Sequence, residues 1–228
     1  MLSKNSIYAK HGQKDRALSL KNVISELKFL FMSEFQMQSE AQRRESLESN
    51  LNQKARVIWL TGLSGAGKTT LGAQLENMLS DAGYICRLLD GDVLRKGICS
   101  GLAFSVEDRT ENIRRAAEVS KLFIHSGIIT INCFITPTHD IRRLVRDIIG
   151  KDDLIEVFVD APIEVCEERD TKGLYRMARE GKVLNFTGIN SPFDVPLSSD
   201  LVIKTNEESP EESVRKLFRF VLPNIKAG

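Results

Sequence analysis

A lysine and a threonine stand side by side in a glycine-rich stretch, Gly62–Thr70, which reads GLSGAGKTT and fits the pattern G-x-x-x-x-G-K-[ST]. Glycines at this spacing let successive backbone N–H groups turn toward one phosphate chain, and a helix N-terminus adds partial positive charge. A lysine at position 68 can reach the β- and γ-phosphates, and a hydroxyl at position 69 can bind Mg²⁺. The stretch predicts a P-loop that binds a nucleoside triphosphate.

The residues around this stretch have the context that a P-loop needs. An apolar run, 57–60, precedes it, and apolar residues at helical spacing follow it: Leu71, Leu75, Met78 and Leu79. This order indicates strand, tight loop and helix. The alternative is a glycine turn before an ordinary helix, and the complete pattern between a strand and a helix disfavours it.

A second group of chemical side chains follows the next predicted strand, where the chain reads Asp90-Gly91-Asp92-Val93-Leu94-Arg95. A carboxylate at a strand end facing a P-loop can hold a metal ion or accept a proton from an attacking hydroxyl. The alternative is an Asp-Gly turn in which one aspartate caps the next helix. The P-loop favours the first interpretation.

Arginines and a phenylalanine come next, in the segments 104–109 (FSVEDR) and 111–115 (ENIRR). Arginine suits bidentate recognition of anions, and a phenylalanine offers a face for an aromatic base. Ser105 with Asp108 is also typical of a helix N-terminus, so part of this group is expected to be structural.

A third group combines basic residues with glycines, in the segments 169–175 (RDTKGLY) and 185–189 (NFTGI). Such a composition on the ligand side of a sheet predicts a lid that closes over phosphates, which matters for a kinase because water competes as the acceptor. The alternative is a solvated helix that carries charge, and it applies more to Arg176 and Arg179 than to Arg169 and Lys172.

The elements that must position these groups alternate along the chain from Ala55 onward. Strands are predicted at 56–61, 84–89, 128–135, 154–160 and 200–205, and helices near 68–82, 108–126, 139–149, 162–168, 172–180 and 210–222. Several strands are continuous apolar runs, which indicates burial on both faces and therefore a parallel sheet between helix layers. We predict an α/β kinase domain over residues 55–228 with its ligands at the carboxyl ends of the strands.

The first 54 residues differ from this domain. Apolar residues at helical spacing predict an amphipathic helix from Leu18 to Met37, and the polar residues 38–54 predict a continuing helix or a linker. A helix that packs on its own domain or on a second subunit is favoured over a targeting segment, because the stretch lacks the arginine content of a good targeting sequence.

The composition excludes some partners. The net charge of +1 gives no overall field toward nucleic acid or a membrane, and no apolar run approaches the ~20 residues that span a bilayer. The four cysteines show no CxxC pair, so a reduced cytoplasmic protein is expected.

Taken in order and spacing, GLSGAGKTT, DGDxLR, FSxEDRxENIRR, RDxKGLYxxAR and NFTGIxSPF closely resemble the adenylylsulfate kinases (APS kinases). The resemblance covers roughly residues 55–222, and the KGLY and NFTGI elements are far more specific than the P-loop. The family transfers the γ-phosphoryl group of ATP to the 3′-hydroxyl of adenosine 5′-phosphosulfate (APS), giving the sulfate donor 3′-phosphoadenylyl sulfate (PAPS).

The resemblance implies a role for each motif. ATP would be held by Gly62, Leu63, Ser64, Gly65, Ala66, Gly67, Lys68, Thr69 and Thr70, with Arg169 near its base. The acceptor would be bound by Asp92, Arg95, Phe104, Arg109, Asn112, Ile135, Lys172 and Phe186, and the two phenylalanines would sandwich its adenine. Lys68 and Asp92 would be catalytic, and Thr69 and Asp92 would hold Mg²⁺ as the cofactor.

The chain departs from the family at three positions. Relatives commonly have Ser-Pro after the third strand, where this chain has Thr136-Pro137, and that serine has been described as a phosphorylated intermediate. Direct in-line transfer needs no covalent step, so Thr136 enters the catalytic set as a retained hydroxyl of the acceptor loop. Val93 is often asparagine and Ala103 often glycine in relatives, and neither change removes a charge.

Three other functions remain open at this point. The chain could be another small-molecule kinase of the same fold, a non-catalytic nucleotide-binding subunit, or one arm of a sulfate-activating assembly. Paired phenylalanines with clustered arginines favour an adenylyl acceptor, and retention of Lys68, Thr69, Asp92 and Arg109 disfavours a non-catalytic subunit. We expect a homodimer, with residues 1–50 available to dock on a separate ATP sulfurylase.

Overall fold

The order of the strands in the sheet is the feature that places the site. In the computed structural model, which describes residues 39–227, the strands are β1 (Val57–Thr61), β2 (Cys86–Asp90), β3 (Ile129–Cys133), β4 (Leu154–Asp160) and β5 (Leu201–Lys204). They form a five-stranded sheet in the order β2-β3-β1-β4-β5, and every pairing is parallel. The predicted parallel α/β fold is therefore confirmed. The predicted amphipathic helix Leu18–Met37 lies outside the described residues.

Helices connect these strands and cover both faces. They are α1 (Glu40–Leu51), α2 (Lys68–Asp81), α3 (Gly91–Arg95), α4 (Val106–His125), α5 (His139–Ile149), α6 (Ile163–Arg169), α7 (Leu174–Arg179) and α8 (Pro210–Ile225). The short helix α3 was not predicted, because an Asp-Gly pair is typical of a turn and the four residues that follow are too few to show helical spacing. No helix within the described range is long and apolar enough to cross a membrane.

The central strand β1 shows why the sheet is buried on both faces. All five of its residues are buried, and successive side chains of a strand point to opposite faces. Ile58 and Leu60 join a core that includes α2 and α8, whereas Val57 and Trp59 join a second core that includes α4 and α5. The continuous apolar run in the sequence is the signature of this two-sided burial.

Two of the helices begin at caps that the sequence contains. The Ser105 hydroxyl accepts a hydrogen bond from the Asp108 amide at 3.1 Å, which opens α4 as predicted. Ser209 and Glu212 form a reciprocal capping box at α8, with Pro210 at its first position. Both caps satisfy backbone donors that a helix N-terminus leaves free.

Helix α1 and the sheet belong to one compact unit, and this unit begins at Glu40. Its Arg44 binds both carboxylate oxygens of Asp153, at 2.6 and 2.7 Å. Gln53 is fully buried, and its side-chain amide pairs with the backbone of Ile85 and with the Gly127 carbonyl. The compact unit thus starts before the boundary predicted at residue 55, because the polar segment makes buried and charged contacts that composition does not reveal.

Candidate active site

The carboxyl ends of the strands open into one cavity of about 730 Å³, at the edge of the sheet where ligands of such folds gather. Its wall includes the P-loop, the segment after β2, the start of α4, the loop after β3 and the lid segment. The groups that the sequence singled out separately therefore meet around one space. Of the predicted residues, those in the wall are Ser64, Gly65, Gly67, Lys68, Thr69, Thr70, Asp92, Arg95, Phe104, Arg109, Asn112, Ile135, Thr136, Arg169, Lys172 and Phe186.

Glycine is required at two positions of the P-loop. A Cβ on Gly62 would lie 2.3 Å from the Val159 carbonyl oxygen, and one on Gly65 would lie 2.9 Å from that of Cys166. Gly65 also has a φ of +76°, which glycine adopts without strain. Gly62, Leu63 and Ala66 shape the loop through their backbone and are not part of the cavity wall.

Lys68 lies inside this loop and is 8% exposed. Its ammonium group donates hydrogen bonds to the carbonyl oxygens of Gly62 at 2.9 Å and Leu63 at 2.7 Å. Burial lowers the pKa of Lys68 to about 8. A cation held in a dry loop beside inward-facing amides is strongly attracted to an anion, so the loop can bind a phosphate chain.

Two aspartates that the sequence treats together have different partners. The Thr69 hydroxyl donates to Asp90 Oδ2 at 2.8 Å, and the other oxygen of Asp90 accepts from the Asp92 amide at 2.9 Å. The Asp92 carboxylate instead forms an ion pair with Lys172 of the lid. Asp90 therefore caps α3 and faces the P-loop threonine at the same time, and the carboxylate beside Thr69 is that of Asp90, whereas the sequence had assigned Asp92 to this place.

The oxygens of Thr69 and Asp90 fit Mg²⁺. This ion prefers oxygen ligands and is usually held by one or two carboxylates together with substrate phosphates. Within residues 39–227 no group of three or more His, Cys, Asp or Glu side chains is arranged to hold a metal by itself. The site therefore suits an ion that arrives with a nucleotide.

Arginines concentrate positive charge on the opposite wall. The Arg95 guanidinium lies 4.5 Å above the centre of the Phe104 ring and donates to the carbonyls of Leu102 and Ala103. Arg109 donates to the Phe104 carbonyl at 3.1 Å. Burial and the nearby charge of Arg95 lower the pKa of Arg109, so an anion between these two side chains would be favoured.

Beyond Phe104, Arg109 crosses the cavity toward the segment that carries Phe186. It donates to the Thr187 hydroxyl at 2.6 Å and to the Asn185 carbonyl. Asn112 is buried in the same wall, and its side-chain oxygen has no hydrogen-bond partner among the residues that the structure describes. A ligand with a donor group would satisfy it.

The two phenylalanines differ in how they are held. Phe104 is 56% exposed, whereas Phe186 is 7% exposed and packs edge-on against Tyr175 with ring centres 4.9 Å apart. The Tyr175 hydroxyl donates to the Ser64 carbonyl at 2.9 Å, which ties helix α7 to the P-loop. Phe186 is therefore held by packing, whereas Phe104 is largely exposed to solvent and contacts the Arg95 guanidinium.

Arg169 connects the P-loop to the last strand of the sheet. Its guanidinium donates to the Gly65 carbonyl at 3.2 Å and to the carbonyl and hydroxyl oxygens of Thr205 at 2.7 and 3.0 Å. The Thr205 hydroxyl in turn donates to the Ala66 carbonyl at 2.9 Å. Sequence reasoning missed Thr205, although its place at the carboxyl end of a predicted strand on the ligand side was a usable signal.

The outer part of the lid contains the solvated charge that the sequence left open. Arg179 is exposed and forms an ion pair with Glu167 at 2.7 Å. Asp170 accepts hydrogen bonds from the amides of Tyr175 and Arg176, so it fixes the start of α7. Lys172 extends from the same segment to Asp92, so it lies at the cavity together with Arg169.

Thr136 is 1% exposed and lies in the loop after β3. Its hydroxyl oxygen accepts a 2.8 Å hydrogen bond from the indole nitrogen of Trp59, and the Ile135 carbonyl accepts one of 2.7 Å from the Thr61 hydroxyl. Sequence analysis identified Thr136 and Ile135 but missed both partners, because contacts between strands far apart in the chain leave no local pattern.

Comparison with known proteins adds three findings. The family model described as adenylylsulphate kinase matches residues 54–204. The adenylyl-sulfate kinase of Bacteroides thetaiotaomicron is 55% identical over 183 residues, which cover 80% of this chain and 91% of that protein. That of Clostridium kluyveri is 50% identical over 178 residues, or 78% of this chain and 89% of that protein.

Among solved structures, the APS kinase of Mycobacterium tuberculosis in complex with AMPPNP and APS superposes on this chain with a TM-score of 0.72. The two are 37% identical, and the match covers 74% of this chain and 98% of that one.

Proposed function

Because the chain belongs to the adenylylsulfate kinase family, we propose that it transfers the γ-phosphoryl group of ATP to the 3′-hydroxyl of adenosine 5′-phosphosulfate, with PAPS and ADP as products. The observation that carries this proposal is the single cavity in which a P-loop lysine, two aspartates, two arginines and two phenylalanines meet. The lysine suits a triphosphate. The arginines and the phenylalanines suit an adenylyl acceptor with a charged phosphosulfate.

The donor side follows from the P-loop. Lys68 and the loop amides bind the β- and γ-phosphates, and the γ-phosphate replaces the carbonyl partners of the buried ammonium group. Thr69 and Asp90 would hold Mg²⁺, which neutralises charge on the transferring group when bound. Arg169 keeps the loop against the end of β5 and would lie near the ATP base, as the family resemblance implies.

The acceptor side follows from the charges and aromatic rings opposite. Arg95 and Arg109 face the phosphosulfate, because a guanidinium binds tetrahedral anions in a bidentate manner. Phe104 closes on the adenine against the fixed ring of Phe186, and such stacking is worth ~1–3 kcal/mol per base in other systems. Ile135 completes the apolar wall, and Asn112 offers its free oxygen to an acceptor hydroxyl or amino group.

Proton transfer is assigned to Asp92. Its present partner, Lys172, and Asp92 itself are both more than half exposed, so their ion pair contributes little and exchanges readily. When the acceptor binds, Lys172 moves to the anionic ligand and Asp92 accepts the proton of the ribose 3′-hydroxyl. The phosphoryl group then passes directly from donor to acceptor, since the enzyme's contribution is positioning and electrostatic stabilisation.

The cellular setting is a proposal of the same kind. The four cysteines are free thiols, which is typical of a reducing compartment, and we place the enzyme in the cytoplasm, acting in sulfate assimilation without nucleic acid or membrane. We also propose a homodimer. Docking of residues 1–50 on a separate ATP sulfurylase is a further possibility to be tested by co-purification of the two enzymes.

The decisive experiment offers the purified protein MgATP with APS, AMP, gluconate or shikimate in separate reactions. We expect phosphate transfer to APS alone, with a product that carries the new phosphate on the ribose 3′-oxygen. Faster transfer to gluconate or shikimate would identify a different kinase of the same fold. Binding of ATP without transfer to any acceptor would indicate a non-catalytic subunit.

A further inference from the structure

A buried hydrogen bond joins the central strand to the acceptor loop. The indole nitrogen of Trp59, on β1, donates to the hydroxyl oxygen of Thr136 at 2.8 Å, and both residues are almost fully buried. Trp59 is the single tryptophan of the chain. It is absent from the cavity wall, whereas Thr136 is part of it. The indole can therefore influence a ligand only through its neighbours in the wall, which are Thr136 and the stacked ring of Phe134.

The backbone at Thr136 is strained. Its φ is +46°, in the left-handed region that β-branched residues rarely adopt. Thr136 also precedes Pro137, and residues before proline favour an extended backbone. Such a conformation persists only where the surroundings impose it, and it is commonly found at functional sites.

Two side chains on one face of β1 impose this conformation. Trp59 and Thr61 are two residues apart, so they project from the same side of the strand. Thr61 holds the Ile135 carbonyl at 2.7 Å, and Trp59 holds the Thr136 hydroxyl. The strand therefore grips the turn at both its backbone and its side chain.

The hydroxyl hydrogen of Thr136 has no hydrogen-bond acceptor among the residues that the structure describes. An indole N–H can only donate, so the Thr136 oxygen is the acceptor and the hydroxyl keeps its own hydrogen. Within residues 39–227 the structure gives that hydroxyl no other partner. Buried hydroxyls normally satisfy their donors, and Thr136 belongs to the cavity wall, so a bound ligand can supply the acceptor.

We infer that Trp59 is a positioning residue for the acceptor: it fixes Thr136 so that the threonine hydroxyl donates its hydrogen to an uncharged oxygen of the bound acceptor. The inference rests on the proposed function and adds a residue that never touches the substrate. It also assigns the Thr136 hydroxyl as an oriented hydrogen-bond donor whose oxygen accepts from the Trp59 indole.

Phenylalanine at position 59 separates this role from packing. The Trp59 ring stacks on Phe134, with ring centres 5.0 Å apart and planes inclined by 23°. W59F keeps an aromatic ring at this place and removes the N–H group. At position 136, T136V removes the hydroxyl at nearly constant shape, and T136S keeps the hydroxyl as its matched control.

Steady-state kinetics of these variants test the inference. W59F and T136V should each raise the KM for APS by about threefold to tenfold, the effect of one neutral hydrogen bond, and leave the KM for ATP nearly unchanged. The double variant W59F/T136V should be no worse than T136V, because both changes remove the same contact. T136S keeps the hydroxyl and should raise the KM for APS less than T136V does.

Several results would overturn the inference. W59F with parental kinetics would show that the indole N–H is dispensable, and equal effects on both KM values would show a purely structural role. A double variant whose defects multiply would show that Trp59 acts independently of Thr136. If the parent protein forms no PAPS at all, the proposed function fails, whereas normal PAPS formation by the parent with a silent W59F refutes the positioning role alone.

Tryptophan fluorescence provides a measurement that retains Trp59 and does not depend on turnover or on folding of W59F. Because the chain has one tryptophan, its emission reports the surroundings of this indole. APS added to the parent and to T136S should change the emission, and the change should be lost in T136V at saturating APS. An identical change in T136V, or none in the parent, would contradict the inference.

Discussion

The Thr69 hydroxyl donates a hydrogen bond of 2.8 Å to Asp90 Oδ2, so that the P-loop and the end of β2 meet at one pair of side chains. The carboxylate of Asp92, two residues later, forms an ion pair with Lys172 of the lid. In the proposed reaction the two aspartates of the DGD motif would therefore have different roles, Asp90 toward the metal and the donor and Asp92 toward the acceptor.

This division predicts different defects for two matched substitutions. Asp90→Asn should raise the Mg²⁺ concentration needed for half-maximal rate, because a neutral amide binds the ion more weakly than a carboxylate. Asparagine also caps helices well, so α3 should be preserved. Asp92→Asn should lower kcat by about 10²–10⁴ with little change in Mg²⁺ dependence, as loss of a general base does. Identical Mg²⁺ profiles for the two variants would refute the division.

Lys68 should be essential for turnover and dispensable for folding. Lys68→Ala removes the charge that acts on the transferring phosphoryl group, and we expect a loss of at least about 10²-fold in kcat. Lys151→Ala, at an exposed lysine in the turn before β4, is the control and should be fully active. A Lys68 variant with more than about a tenth of the parental rate would show that the lysine has been misassigned.

The two phenylalanines should differ in their cost to stability. Phe104→Ala should raise the KM for APS by about fivefold to a hundredfold. The KM for ATP and the melting temperature should change little, because the ring is exposed. Phe186→Ala should raise the same KM and also lower the stability by about 3–5 kcal/mol, since its ring is buried against Tyr175. Thermal unfolding and kinetics with each substrate varied test both statements. If Phe104→Ala raised the KM for ATP as much as the KM for APS, the proposed stacking of the acceptor adenine between the two phenylalanines would be contradicted.

Thr136 provides a test of direct transfer. Thr136→Ala removes one hydroxyl and leaves Lys68, Asp92 and the metal ligands, so kcat/KM should fall by only about threefold to tenfold. A covalent route would require the hydroxyl, and the same variant would then be nearly inactive. Mass spectrometry of the parent incubated with MgATP alone should find no phosphothreonine, and a stoichiometric phosphopeptide containing Thr136 would exclude direct transfer.

The ion pair between Arg44 and Asp153 should make stability depend on pH. Burial raises the pKa of Asp153, but the hydrogen bond and charge of Arg44 outweigh this effect and lower the pKa below its ordinary value of 3.8. A depressed carboxyl pKa stabilises the fold above the unfolded value and loses that contribution as pH falls through the folded value. Arg44→Ala should therefore cost about 1–2 kcal/mol near pH 7 and progressively less below pH ~3.8.

Urea unfolding at several pH values measures this dependence. Arg43→Ala is the matched control, because Arg43 is its exposed neighbour on the same helix. We expect that control to unfold like the parent at every pH. A difference between Arg44→Ala and the parent that stays constant into acid would show that the ion pair is not its origin.

Much of the fold and of the site could be predicted because the signals are local. The apolar run 57–60 and the helical spacing after Lys68 gave the P-loop its two flanking elements, and Ser105 with Asp108 opened α4 as expected. Helix caps, turns and buried strands depend on residues a few positions apart, so a sequence displays them directly.

The remainder depends on contacts between distant positions. Nothing in the order of residues says that Asp90, rather than Asp92, lies beside Thr69, because that follows from the angle at which β2 delivers its last residue. The same holds for Trp59, which reads as one more apolar strand residue until the loop after β3 is placed over it. Polarity was misleading at Gln53, which looks like a linker residue and is fully buried.

The buried position of Gln53 bears on how the protein is shortened or fused to others. The residue forms an isolated antiparallel bridge with Lys226, and the next amide, Lys54, donates to the Ile225 carbonyl at 2.7 Å. The two ends of the sheet domain therefore lie side by side. If this domain were inserted into another protein, the chain would enter and leave the host protein at one point. Truncation at residue 54, where the family match begins, would remove Gln53. The N–H and C=O groups of Ile85 and the C=O group of Gly127 would then lose their hydrogen-bond partner, and the contact between the two ends of the domain would weaken.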